Sequence, residues 1–118
     1  MRWLLALSAA FVVFVVAGLS QPAEGGRELF ERRCTGCHAL DRDKEGPRLG
    51  GVYGRVSGSV PSFHYSDALK SAHITWDADS LAKWLADPES LVPDNDMAFH
   101  LDSAAERSAI VAYLEQVR

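Results

Sequence analysis

The chain has 118 residues, 12 of them basic and 16 acidic, for a formal net charge of −4 at neutral pH. That balance excludes non-specific binding to nucleic acid or to an anionic membrane surface, both of which need an excess of cations. A single domain of this length has a thin apolar core and benefits from additional support.

From Trp3 to Leu19 the sequence is apolar apart from Ser8, with Arg2 before it and Ser20-Gln21-Pro22 after it. One positive charge, an apolar stretch and small residues near Ala17 and Gly18 read as a secretory signal over residues 1–20. The alternative is an uncleaved N-terminal anchor over residues 3–19, which would hold the protein to a membrane. Either reading exports the rest of the chain to the periplasm. Residues 21–26 read as a linker, and 27–118 as one domain.

A helical pattern runs from Glu24 or Arg27 to Cys37, with Gly26, Phe30 and Cys34 on one face. Residues 41–64 hold five of the nine glycines, with Pro47 and Pro61, and show neither helical nor strand period. Irregular loops of that length are uncommon in compact domains unless they wrap something. A short helix is expected near Ser66–Ser71. A longer one follows over Ala78–Ala86, with Asp77 as N-cap and Leu81, Trp84 and Leu85 as its apolar stripe. Pro88 and Pro93 punctuate its end. The last helix opens on a capping box, Ser103 with Glu106, and carries Ile110, Tyr113, Leu114 and Val117 at helical spacing. No segment reads as a strand, so the fold class is all-α.

The only two cysteines stand in C-T-G-C-H, residues 34–38. A disulfide between Cys34 and Cys37 would close a tiny loop and stabilise little. A thiol redox pair prefers a βαβ setting, which is absent. Structural zinc needs four ligands, and Cys34, Cys37 and His38 give three, with His64, His73 or His100 as a distant fourth. Covalent haem explains all three residues together. Two thiols one helical turn apart match the two vinyl groups of the porphyrin, and the next residue, His38, is carried under the iron.

A single axial histidine leaves one iron position, and its occupant decides function. The one methionine after the initiator is Met97, in LVPDNDMAF, a polar proline-containing loop that is a poor place for core filler. Met97 is the expected second ligand, with His100 the competitor and His64 and His73 behind it. A thioether favours ferrous iron, and two filled axial positions leave no vacancy for oxygen or peroxide.

With these residues in view the chain resembles the class I cytochromes c, in the mitochondrial-like branch that includes bacterial cytochrome c2. The markers are GRELFERRCTGCH, GPRLGGVYGR, FHYSDALKSAHITW, LAKWLADPESLVPDNDM and IVAYL, which cover nearly the whole exported domain. The resemblance implies short helices and long loops around one haem c, covalent through Cys34 and Cys37, with His38 and Met97 as metal ligands. It implies a monomeric carrier, not an enzyme. Such a carrier shuttles single electrons between transient protein partners of reductase or dehydrogenase and oxidase type in a respiratory or related chain. It further implies that Pro47 accepts the His38 ring N–H and that Arg55, Tyr65 and Trp76 bind a buried propionate, with Asn95 in the same region. Phe99 would cover the haem near its exposed edge, and Gly26 and Phe30 would pack on Ile110 and Tyr113.

Three departures from the family pattern stand out. Trp84 occupies the place of a tyrosine that reaches the ligand sulfur, and an indole N–H donates but cannot accept. Leu69 stands for a pocket asparagine. Residues 87–102 contain Asp87, Glu89, Asp94, Asp96 and Asp102 and no Lys or Arg, where mitochondrial members present lysines. A partner with a neutral or basic surface near Met97 is therefore expected. Two rivals remain at this point: a gas-binding or peroxide-reactive haem protein if Met97 is not a stable ligand, and a thiol oxidoreductase using Cys34 and Cys37.

Overall fold

The computed structural model describes residues 11–14 and 22–118. Most of the expected signal segment, 1–20, and of the alternative anchor, 3–19, lies outside the described residues. Among those described, no helix is long and apolar enough to cross a membrane.

Five helices follow one another: α1 Pro22–Arg33, α2 Asp67–Ala72, α3 Ala78–Ala86, α4 Pro88–Leu91 and α5 Ala104–Gln116. The only β pairing among the described residues is an isolated bridge between Val56 and Thr75, so the all-α expectation holds. The segment 22–26, read as linker, is instead the first part of α1. Proline suits a first helical turn, where its missing N–H has no partner to lose.

The first and last helices cross at a point set by a missing side chain. A Cβ on Gly26 would lie 2.8 Å from the Cβ of Tyr113, so only glycine lets the two backbones come this close. One turn on, Phe30 is buried and its ring centroid lies 5.4 Å from that of Tyr113. Ile110, with no exposed surface, sits at the centre of the core with Val111 and Leu114.

Capping explains where the other helices begin. Ser66 accepts from the Leu69 N–H ahead of α2. At α3, Asp77 and Ser80 cap each other reciprocally, and Leu81, Trp84 and Leu85 are buried as the stripe requires. Pro88 does more than end α3: it opens α4, for which its fixed φ is preorganised. At α5, Ser103 Oγ accepts the Glu106 N–H at 3.2 Å, but the expected box is only half formed. The Glu106 carboxylate turns to Arg33 at the end of α1, 3.4 Å away, and so ties the crossing helices.

The long loop between α1 and α2 is held by backbone bonds rather than by regular structure. Leu49 and Gly50 donate to the carbonyls of Ala39 and Leu40, and Gly51 donates to Val117 beyond α5. Gly54 and Trp76 exchange bonds with residues across the Val56–Thr75 bridge, namely Gly54 to Trp76 O and Trp76 to Arg55 O. Asp43 accepts from Ser62 Oγ at 2.6 Å and from the Arg48 N–H at 3.0 Å, which closes the loop on itself.

Candidate haem-binding site

The helix proper ends at Arg33, but its hydrogen bonding runs on as a turn. Cys34 donates to Phe30 O at 2.8 Å, Cys37 to Cys34 O at 3.2 Å, and His38 to Cys34 O at 2.8 Å. That continuation keeps Cys34, Cys37 and His38 on one side, where all three line a cavity of about 420 Å³. Pro47, Arg55, Tyr65, Trp76 and Met97 line it too, so the structure brings these expected residues to one enclosure, while Asn95 stays outside it. Its remaining wall is largely apolar, with Val52, Leu69, Leu81, Trp84, Phe99 and Ile110.

His38 is buried, and its Nδ1 lies 2.7 Å from the carbonyl oxygen of Pro47. A carbonyl only accepts, so Nδ1 carries the hydrogen and Nε2 keeps the lone pair. Burial pushes the imidazole pKa down, partly opposed by the Pro47 bond, and the neutral, ligating form is favoured at neutral pH. Gly46 backs the ring. A Cβ there would stand 2.7 Å from both ring nitrogens, and the Gly46 N–H is itself bonded to Cys37 O. Sequence reasoning passed over Gly46 as one of many loop glycines.

The thiols are unsuited to redox work. Burial, with Cys37 nearby, pushes the Cys34 thiol up to about 11. The Cys37 thiol donates to Glu45 at 3.3 Å, and that bond raises its pKa as well. A reactive thiol pair needs the opposite shift. The zinc reading fares no better, since no group of three or more metal-binding side chains forms among the described residues.

The histidines separate clearly. His64 stands at the cavity rim, exposed, while His100 lies outside the cavity with its Nδ1 3.8 Å from Asp87. His73 is exposed and ends α2 in the left-handed conformation. Of the residues near Met97, only Met97 itself brings a soft donor to the wall.

Arg55 and Tyr65 are polar groups fixed at a largely apolar wall. The Arg55 guanidinium donates to the carbonyls of Arg48 and Gly50, at 2.8 and 2.7 Å, which fixes it at the wall. Tyr65 is buried and its hydroxyl oxygen accepts the Val60 N–H at 3.1 Å, leaving the hydroxyl hydrogen to donate. Burial raises the phenol pKa, so that hydrogen stays in place. Trp76 packs on Trp84 with ring centroids 5.3 Å apart. Arg48 is not part of the wall; its guanidinium reaches Ser62. Asn95, expected near the propionate, instead bonds the Met97 loop, accepting the Met97 N–H at 2.7 Å.

These groups fit a haem c. Two thiols, a neutral imidazole and a thioether meet in one largely apolar cavity, with a cation and a phenol placed to meet a haem propionate. Fold and site together define a class I cytochrome c, a helical protein that encloses one haem c held through Cys34 and Cys37.

Comparison with known proteins agrees. The cytochrome c family model matches residues 23–118. A cytochrome c of Euglena viridis is 42% identical over 99 residues, covering 81% of this chain and 97% of that protein. The cytochrome c2 iso-2 of Magnetospirillum fulvum is 40% identical over 87 residues, covering 71% and 91%. Among solved structures, cytochrome cH from Methylobacterium extorquens superimposes with a TM-score of 0.76 at 36% identity, covering 80% of this chain and 97% of that one. The chain belongs to the cytochrome c family. It is a single-haem electron carrier, not an enzyme, and works through transient contacts with redox partners.

Proposed function

We propose that this protein is exported to the periplasm and there shuttles single electrons, as a monomer, between a reductase or dehydrogenase and an oxidase-type acceptor. His38 and Met97 would hold its haem iron. The observation that carries this reading is the meeting of Met97 with a His38 whose tautomer leaves Nε2 unprotonated, in one cavity. When bound, the haem supplies a one-electron couple. The protein's residues do the rest. Pro47 and Gly46 hold the imidazole in one orientation and enrich its donor nitrogen. Arg55 and Tyr65 would bind a haem propionate, with the Arg55 cation offsetting its charge and the Tyr65 hydroxyl donating to it. Trp76, Trp84, Leu81 and Leu69 exclude water, so little solvent reorganises when charge changes.

The partner presents a neutral or basic face. Exposed Asp67, Asp94 and Asp96 gather beside His64, Tyr65 and Ser66 in an open depression. His64, Tyr65, Ser66 and Asp96 also line the haem cavity, so this acidic lip adjoins its mouth. None of the three aspartates enters an ion pair among the described residues. On the cysteine side, exposed Arg33 is paired with Glu106, and exposed Glu45 adds a further negative charge.

The deciding experiment is a visible spectrum of the purified protein, oxidised and reduced, followed by carbon monoxide added to the ferrous form. A low-spin spectrum with the methionine–iron charge-transfer band and no change on adding carbon monoxide supports the carrier. A five-coordinate spectrum with ready carbon monoxide binding would establish the gas-binding alternative in its place.

A further inference from the structure

We propose that Asn95 is the positioning residue that holds Met97 at the cavity, a role that rests on Met97 being the second ligand. Asn95 does not itself line the cavity. Its side chain bridges two backbone groups: Oδ1 accepts the Met97 N–H at 2.7 Å, and Nδ2 donates to the Val92 carbonyl at 2.8 Å. One partner only donates and the other only accepts, so the amide has a single satisfied orientation. Val92 is a firm anchor. It is buried, and its N–H closes α4 on the Pro88 carbonyl at 2.9 Å.

A second tie runs from α4 to the same loop. Glu89 accepts the Asp94 N–H through Oε1 at 3.0 Å, and its Oε2 lies 3.4 Å from Asn95 Nδ2. Asp94 has φ of 67°, a left-handed conformation uncommon outside glycine but open to aspartate. Glu89 fixes it there through the Asp94 N–H. The loop 92–97 is thus preformed, and a continuous chain of bonds runs from α4 through Asn95 to the backbone of Met97. A soft, neutral thioether binds ferric iron weakly, and a ligand carried on a prebuilt loop loses less freedom on binding.

The test is competition by imidazole for the ferric iron of the intact haem-loaded protein, read beside the methionine–iron charge-transfer band and a thermal melt. Asn95→Ala removes both bonds. Asn95→Ser keeps a hydroxyl able to accept the Met97 N–H but too short to reach Val92 as well. Imidazole is expected to bind Asn95→Ala roughly tenfold more tightly than wild type, equivalent to ~1.4 kcal/mol of lost methionine hold. The charge-transfer band weakens in parallel, and Asn95→Ser falls between the two. Imidazole affinity within twofold of wild type in Asn95→Ala overturns the proposal, as does an Asn95→Ser variant no better than Asn95→Ala. If wild type lacks the band and Met97→Ala leaves imidazole affinity unchanged, the ligand assignment itself falls and takes this role with it. A present band with silent Asn95 variants overturns the positioning role alone.

Discussion

His38 gives its Nδ1 hydrogen to the carbonyl oxygen of Pro47 across 2.7 Å, while Gly46, one residue earlier, leaves room for the ring edge. The same short segment therefore sets both the tautomer and the position of the imidazole. Gly46→Ala should push the ring from its place, at an overpacking cost of about 1–3 kcal/mol. The expected result is a lower thermal midpoint and a smaller low-spin fraction in the visible spectrum. A variant with wild-type spectrum and melting would show that the ring has slack.

The crossing of α1 and α5 should be the least forgiving place in the core. Gly26→Ala places a methyl against Tyr113 and the backbone at Ala109, for a loss of about 1–3 kcal/mol. Ile110→Ala removes a side chain with no exposed surface, for a loss of about 2–5 kcal/mol. Denaturant midpoints at constant m-value measure both. Ile110 also lines the haem cavity, so its variant should in addition alter the haem spectrum, whereas the Gly26 variant should leave it alone.

Charge at the cavity mouth should govern encounter. Oxidation of the ferrous protein by a cationic cobalt complex is expected to slow as salt rises, and oxidation by ferricyanide to quicken. Neutralising the lip with Asp67→Asn, Asp94→Asn and Asp96→Asn together should change the ratio of these two rates on the order of tenfold at low ionic strength. Stopped-flow rates over a salt series provide the measurement. Equal salt slopes in the triple variant and the wild type would place electron exchange at another face.

Acid stability should depend on two hydrogen-bonded carboxylates, Asp43 in the long loop and Asp77 at the start of α3. Asp77 is held below its ordinary value of 3.8 by the Ser80 backbone and side chain, and Asp43 by Ser62 and the Arg48 N–H. A carboxylate depressed in the folded state adds stability above its unfolded value and loses it as pH falls through the folded one. The double variant Asp43→Asn, Asp77→Asn should therefore be less stable than wild type at neutral pH. The gap should narrow as pH drops below about 4. Far-UV circular dichroism during acid titration follows it, and a gap that stays constant would contradict the linkage.

Much of this architecture was written in short-range pattern. The stripe Leu81, Trp84, Leu85 and the Asp77 cap located α3 at Ala78–Ala86, because each depends on neighbours within two helical turns. The ends of α1 and the start of α4 were less legible. Pro22 and Pro88 act as openers rather than breakers, and a proline by itself permits either reading. Glu106 shows a further limit. Its spacing from Ser103 suits a capping box, but Arg33 lies close enough to draw the carboxylate away.

What the sequence by itself determined is the chemistry of the cofactor. Cys34, Cys37 and His38 act through covalent and coordinate bonds whose geometry one turn of backbone already supplies, and no distant residue is needed to recognise them. What only the tertiary structure decided is which remote groups share the enclosure and how each is held. Met97 meets the same cavity as His38, Gly46 backs the imidazole, and Asn95 serves the methionine loop. These relations turn on close packing and on the polarity of partners brought together by the fold, and neither leaves a period or a spacing in the chain.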